Sequence, residues 1–325
     1  MNAQGLGATR RSVPRPEHDL ADLRGSLVAM VTPFRAGEVD VEALGRLCVR
    51  QIEHGTAALV VSGSTGEGSA LTVAEHGRVV AMAVEATDGR IPVIAACGTL
   101  ATEAACILAV EAARDGAAAL LCSAPPYSHP TQAGVFAHTT ALAHAARRPI
   151  VVHDVPGRVG VAITDETVAR LFEAGLVTAI EDAGGDLSRP ARLRALCGDG
   201  LVRLSGDDAT VAAHRAMGGS GCISVSANLV PALCARLHAA WDHADLEEFG
   251  RIRDRLAPLH QALSLQSSPI PIKAALCMLG LCDGGTRLPL TIADSASLDA
   301  LATVVAEVTR AEDDAARSPR LTLVR

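Results

Sequence analysis

The sequence predicts an α/β fold, a (β/α)8 TIM barrel with a C-terminal helical extension, and three observations carry that prediction. Short apolar runs bounded by turn residues recur at 26–31, 57–61, 92–96, 118–122, 150–153, 177–180, 201–205 and 222–225. Each is too short for a buried helix and reads as a strand covered on both faces, as in a parallel sheet. Between them lie stretches with apolar residues at helical spacing, such as Val41, Leu44, Leu47, Cys48 and Ile52. Eight alternating strand and helix signals are the count of a closed barrel. A dinucleotide-binding sheet would carry a glycine-rich phosphate turn after its first strand. Here Val31-Thr32-Pro33-Phe34-Arg35 stands in that place, which excludes that architecture.

In chain order, residues 1–24 are polar, contain Gly, Pro and Arg, and show no periodicity, so a loose tail is expected. No apolar stretch follows Arg10 and Arg11, so no secretory leader is expected there. The barrel is assigned to 25–240. Its helix starts are marked by Asp40, by Thr72 with Glu75 three residues on (a capping box), by Thr131, and by Thr164 ahead of Asp165 and Glu166. Beyond it, helical patterns at 243–262, 270–280 and 293–312 follow one another without strands. The region 241–325 therefore reads as a helical layer of the same domain.

The chain has 325 residues, a net charge of −7, 49% hydrophobic residues and 2% aromatic ones. An acidic chain with so few rings lacks the basic stripes and stacking platforms of a nucleic-acid binder. No apolar run approaches the ~18–20 residues of a spanning helix, so no membrane partner is expected. The nine cysteines are scattered singly, with no C-x-x-C pair, and read as reduced, buried small hydrophobes of a cytoplasmic protein. No cofactor is predicted. Among 29 basic residues only Lys273 is a lysine, and Tyr127 is the one tyrosine. Chemistry needing an amine nucleophile therefore has a single candidate.

In a barrel of this type the chemistry sits at the C-terminal ends of the strands. Those ends read Gly63-Ser64-Thr65-Gly66-Glu67, Ser123-Ala124-Pro125-Pro126-Tyr127, His153-Asp154-Val155-Pro156-Gly157-Arg158, Glu181-Asp182, Ser205-Gly206-Asp207-Asp208 and Ser224-Val225-Ser226. The hydroxyls, the imidazole and the guanidinium point to a small polar or anionic substrate in the barrel mouth.

These segments, with the glycine-rich run from Gly218 to Val225 and Pro269-Ile270-Pro271-Ile272-Lys273, occur in order and at matching intervals. Together they resemble the dihydrodipicolinate synthase and N-acetylneuraminate lyase family over nearly the whole chain outside the tail. The resemblance implies a barrel with a C-terminal helical region, a homotetramer built as a dimer of dimers, and a pyruvate-type 2-keto acid held as a lysine imine. A neutral amine attacks the keto carbon, and the cationic imine withdraws electrons from the neighbouring carbon. The resemblance places that lysine on the sixth strand, where this chain has Glu181, and a tyrosine on the fifth, where this chain has His153. A carboxylate forms no imine, so true synthase activity is not expected.

The resemblance further implies that Ser64, Thr65 and Ile223 line the keto-acid site, that Arg158 meets a carboxylate at its mouth, and that Tyr127 reaches across the tight-dimer interface. Lys273 matches a second lysine of the family and is expected to be structural. Asp207 and Asp208 are expected to cap a helix and close a loop. The lysine-feedback site of the family is not expected, because Pro126 and Leu100 stand where it needs an aromatic and a polar residue. Strand alternation points Glu181 and His153 inward and places them within reach of each other. They form a buried ion pair or hydrogen bond, an acid/base dyad in which the carboxylate raises the imidazole pKa, or, with Asp207, a metal site. Two functional readings follow. One is an enzyme acting on a small 2-keto or other carboxylic acid through Tyr127, His153 and Glu181. The other is a non-catalytic member that binds a ligand or partners an active paralogue.

Overall fold

A computed structural model describes residues 20–317. Eight parallel strands close into a barrel: β1 (Gly25–Ala29), β2 (Ala58–Val61), β3 (Val93–Ala96), β4 (Ala119–Ser123), β5 (Ile150–Asp154), β6 (Val177–Asp182), β7 (Val202–Ser205) and β8 (Gly221–Ser224). Each strand pairs with its sequence neighbours, and β1 pairs with β8 to seal the ring. The helices that follow the strands are α1 (Val41–Glu53), α2 (Val73–Thr87), α3 (Thr102–Arg114), α4 (Gln132–Ala146), α5 (Asp165–Glu173), α6 (Arg189–Cys197), α7 (Val211–Ala216) and α8 (Pro231–Asp242). Every barrel strand lies where the apolar runs predict it; a short antiparallel pair, Phe34–Arg35 with Glu38–Val39, lies outside those runs.

Local chemistry starts the helices as expected. Asp40 accepts from the Ala43 amide, Thr131 from Gly134 and Thr164 from Thr167. Thr72 and Glu75 form the reciprocal capping box of α2, satisfying amides that lack a partner within the helix. The appended layer comprises α9 (Leu246–Leu263), α10 (Ile270–Met278) and α11 (Ser295–Arg317). None of the helices among the described residues is long and apolar enough to cross a membrane. Five of the nine cysteines are buried and three half-buried, while Cys277 is exposed against expectation; all nine are free thiols.

The tail boundary moves. Residues 1–19 of the expected tail lie outside the described residues, but Leu20–Asp22 forms a 3-10 turn, and Leu20 and Leu23 are buried. Both pack with Leu27, Ala58, Val151 and Ala179 in the barrel interior. Two isolated leucines carry no periodic signal, yet the apolar end of a barrel needs a cover.

Inside the barrel the side-chain period of two sets the layers. Leu121, Val151 and Ala179 belong to the apolar interior. Two residues further along the same strands stand Ser123, His153 and Glu181. The interior thus changes from apolar to polar in one step toward the C-terminal mouth.

Candidate active site

The turn after β2 is built tightly on glycine. A Cβ at Gly68 would stand 1.9 Å from the Ser62 carbonyl oxygen, and one at Gly66 2.9 Å from the Ser62 amide nitrogen. Ser62 and Glu67 both take left-handed backbone, φ 57° and 51°, a conformation that persists in non-glycine residues only when the surroundings enforce it. Glu67 supplies the enforcement. Its buried carboxylate accepts from Lys273 Nζ at 2.7 Å through Oε1 and from the Arg287 amide at 2.8 Å through Oε2. Lys273 also donates to the Thr32 carbonyl at 3.0 Å and lies 4.2 Å from the Phe34 ring centroid. The Arg287 guanidinium closes the other side on Glu75, at 2.6 and 2.9 Å. The sole lysine is therefore a fully buried brace between the barrel and α10, as the motif predicts.

At the ends of β5 and β6 two pairs follow each other in register, His153 with Glu181 and Asp154 with Asp182. Arg189 binds the second pair, contacting Asp154 directly and Asp182 at 3.2 Å, and reaches Asp165 at 2.8 Å. Among the described residues no cation binds the first pair. His153 Nε2 stands 3.7 Å from Glu181 Oε2, wider than a hydrogen bond, and Glu181 Oε2 is buried with no hydrogen-bond partner. Burial pushes the Glu181 carboxyl up to about 8. Burial, with the Arg158 guanidinium adding to it, pushes His153 down to about 4. At neutral pH the pair is a carboxylic acid facing a neutral imidazole. This corrects the expectation that the carboxylate raises the imidazole pKa: desolvation neutralises the carboxyl, so it offers His153 little negative charge.

Above the pair opens a cavity of about 310 Å³, and Ser64, His153 and Arg158 of the expected residues line it. Arg158 is exposed and makes no side-chain ion pair among the described residues, so its guanidinium is available to an anion. Glu181 lies beneath, in contact range of His153. The other expected residues stand apart. Thr65 is buried behind the wall, with its hydroxyl 3.3 Å from that of Ser268. Ile223 is a core residue of the barrel interior and not a lining residue. Tyr127 is 90% exposed and turned out of its own cavity on a left-handed backbone, φ 71°.

Asp208 closes the β8 turn, accepting from the Ser224 hydroxyl and the Val225 and Ser226 amides at 2.5–2.9 Å. Asp207 accepts from the Ala209 amide and the Thr210 hydroxyl. Asp208 closes a loop as expected, whereas Asp207 fastens its own turn and does not cap α7, whose N-cap is Thr210 with no side-chain cap bond. Among the described residues, no three His, Cys, Asp or Glu side chains group as metal ligands.

Sequence reasoning missed Ser62, Ser268, Arg287 and Leu290, which also line the cavity. Ser268 sits one residue before the Pro269 motif, a signal that was available. Arg287 and Leu290 lie in an irregular segment of the C-terminal region, with no local pattern to announce them.

The comparisons with known proteins agree with this architecture. The model of the dihydrodipicolinate synthetase family matches residues 22–308. The 4-hydroxy-tetrahydrodipicolinate synthase of Rhodospirillum centenum is 45% identical over 276 residues, covering 85% of this chain and 95% of that protein. That of Hyphomonas neptunium is 46% identical over 275 residues, covering 84% and 94%. Among solved structures, the enzyme of the same name from Methylacidiphilum fumariolicum superposes with a TM-score of 0.87 at 33% identity, covering 90% of this chain and 98% of that one. The dihydrodipicolinate synthase of Acinetobacter baumannii, in complex with pyruvate, superposes with a TM-score of 0.85 at 36% identity, covering 88% and 99%. With the barrel, its helical extension and the family model all spanning the same residues, the chain belongs to the dihydrodipicolinate synthetase family.

Proposed function

We propose that this protein binds a small carboxylic acid, of the 2-keto or a related class, in the 310 Å³ cavity and handles it without an imine. The observation that carries the reading is the composition of the mouth. A carboxyl group, Glu181, occupies the inward position on β6 beside His153, while the one lysine is locked to Glu67 outside the cavity lining. The pyruvate complex of a relative supports the ligand class. The synthase activity for which the relatives are named is not expected here, because its carbonyl chemistry is assigned to a lysine that this chain lacks at 181.

In this reading Arg158 and the hydroxyl of Ser64 hold the carboxylate. The neutral pair then moves protons without an external charge. The Glu181 acid gives its proton to the carbonyl oxygen while His153 takes one from the adjacent carbon, leaving an enol above a carboxylate–imidazolium pair. The reverse transfer restores the neutral state. Tyr127 acts from a second copy, its exposure and outward direction supporting a role across an interface in a homotetramer. The free cysteines support a cytoplasmic setting. The rival reading, a non-catalytic member, draws on the 3.7 Å gap and the unpartnered Glu181 oxygen.

Borohydride trapping with pyruvate, read by intact mass, tests the imine-free reading. No adduct is expected for the wild type, and one is expected for Glu181→Lys. A stoichiometric wild-type adduct would overturn it. Solvent-deuterium exchange into bound keto acid separates the enzyme from the ligand binder: binding without exchange favours the second.

A further inference from the structure

Pro289 and Leu290 form part of the wall of the 310 Å³ cavity. Both lie in residues 283–293, an irregular strap that joins α10 to α11. Among the described residues, every hydrogen bond from this strap to the rest of the chain is made by Arg287. Its amide donates to Glu67 at 2.8 Å. Its guanidinium donates to Glu75 at 2.6 and 2.9 Å, to the Ala70 carbonyl at 3.0 Å and to the Gly37 carbonyl at 2.7 Å. The Phe34 ring centroid lies 4.4 Å from its Cζ. One latch therefore fastens the strap at the barrel mouth.

Leu290 is half-buried, yet it packs into neither apolar core of the barrel. Its side chain faces the cavity without serving the fold, which leaves its apolar surface to a ligand. Val155 and Val159 add apolar wall on the β5 side. Val155 follows His153 by two residues, and the Val159 amide donates to the Val155 carbonyl at 3.1 Å, which sets the two valines one helical turn apart on one face. Arg158 belongs to the same turn. A carboxylate held by Arg158 thus has apolar side chains beside it for the rest of its carbon chain.

We propose that the cavity selects a 2-keto acid with a branched aliphatic tail, and that Leu290 is the specificity-determining residue for that tail. This class deepens the reading of the cavity as a carboxylic-acid site and rests on it. The volume falls within the roughly 300–1,000 Å³ of ordinary ligand pockets and exceeds what pyruvate alone fills. A tail ending in a second carboxylate meets no free cation, because Arg158 holds the first carboxylate and the Arg287 guanidinium is bound to Glu75. An aliphatic tail asks for no partner and removes its own surface, with that of Leu290, from water.

Calorimetric titration of the full chain with pyruvate, 2-ketoisocaproate and 2-oxoglutarate tests the proposal. 2-Ketoisocaproate is expected to bind at least about tenfold more tightly than pyruvate, from the added methyl and methylene groups, and more tightly than 2-oxoglutarate. Leu290→Ser is expected to weaken 2-ketoisocaproate at least about fivefold and to leave pyruvate within about twofold. Its melting temperature should stay within about 2 °C of the wild type, because the side chain lies outside both cores. Pyruvate binding with 2-ketoisocaproate no tighter, or with 2-oxoglutarate tighter than either, would overturn the aliphatic class and leave the carboxylic-acid site standing. A Leu290→Ser variant that weakens both acids equally, or neither, would overturn the role of Leu290. Binding of none of the three acids would overturn the carboxylic-acid site together with the class built on it.

Discussion

His153 on β5 and Glu181 on β6 are register partners whose side chains approach to 3.7 Å, with no other ionic partner for either among the described residues. One residue further on, Asp154 and Asp182 are also in register, but Arg189 binds both. A guanidinium compensates the outward pair. The inward pair has no such cation, and the low-dielectric interior favours the neutral form of each group. That contrast, produced by one arginine on α6, gives the mouth a carboxylic acid and a neutral base side by side.

The pair predicts a pH signature. Glu181, raised from 4.5 to about 8 by burial, is protonated in the folded chain and ionised in the unfolded chain between those values. Its contribution to stability is therefore fully present below about 4.5 and falls as pH rises through 8. His153, lowered from 6.5 to about 4, works in the opposite direction: its contribution is present above 6.5 and falls as pH drops through 4. The isosteric Glu181→Gln variant lacks the first effect. Its melting temperature relative to the wild type should climb from pH 5 to pH 8, and a difference independent of pH would contradict the protonated state of Glu181.

Arg158 lines the cavity without an ion pair among the described residues. Arg158→Ala should weaken pyruvate binding about 10- to 100-fold, the equivalent of losing a charge-assisted hydrogen bond of about 1.5–3 kcal/mol. Stability should change by no more than about 0.5 kcal/mol. Isothermal titration calorimetry and urea unfolding read the two quantities separately.

Lys273 should behave as a brace. Lys273→Met strands the Glu67 carboxylate, which is buried and then keeps only the Arg287 amide as a partner. Removing one member of a buried pair typically costs about 3–5 kcal/mol, so urea unfolding should show a loss of that order. An unchanged midpoint would mean that the Glu67 contact contributes little.

Lysine should not bind as a feedback ligand. A relative from Cyanidioschyzon merolae has been solved with lysine bound, but here Pro126 precedes the phenol of Tyr127, and Leu100 is 65% exposed near the end of β3. Neither offers the aromatic face or the polar group expected of such a site. Calorimetric titration with lysine should give no saturable heat.

Much of this protein was readable without coordinates. Strand bounds, helix caps and the order of the motifs are local properties, set by side-chain periodicity and by hydrogen bonds over three or four residues. Alternation along β5 and β6 was enough to place His153 and Glu181 side by side. The brace at Lys273 and the loop-closing Asp208 followed from their motifs. Composition determined that an amine nucleophile had one candidate, and strand alternation that the inward position on β6 held a carboxyl.

Tertiary structure decided the rest. Whether His153 is charged depends on how much solvent the closed barrel removes and on which cation reaches the neighbouring pair, and Arg189 reaches Asp154 across 35 residues of chain. Thr65 and Ile223 share motifs with site residues, yet their side chains are packed behind the wall and within the barrel core. Arg287 enters the mouth from the irregular segment after α10 and is fastened to Glu75 across 212 residues. Sequence pattern determines which way a side chain points on its own element; burial, charge and cavity shape arise only when distant elements meet.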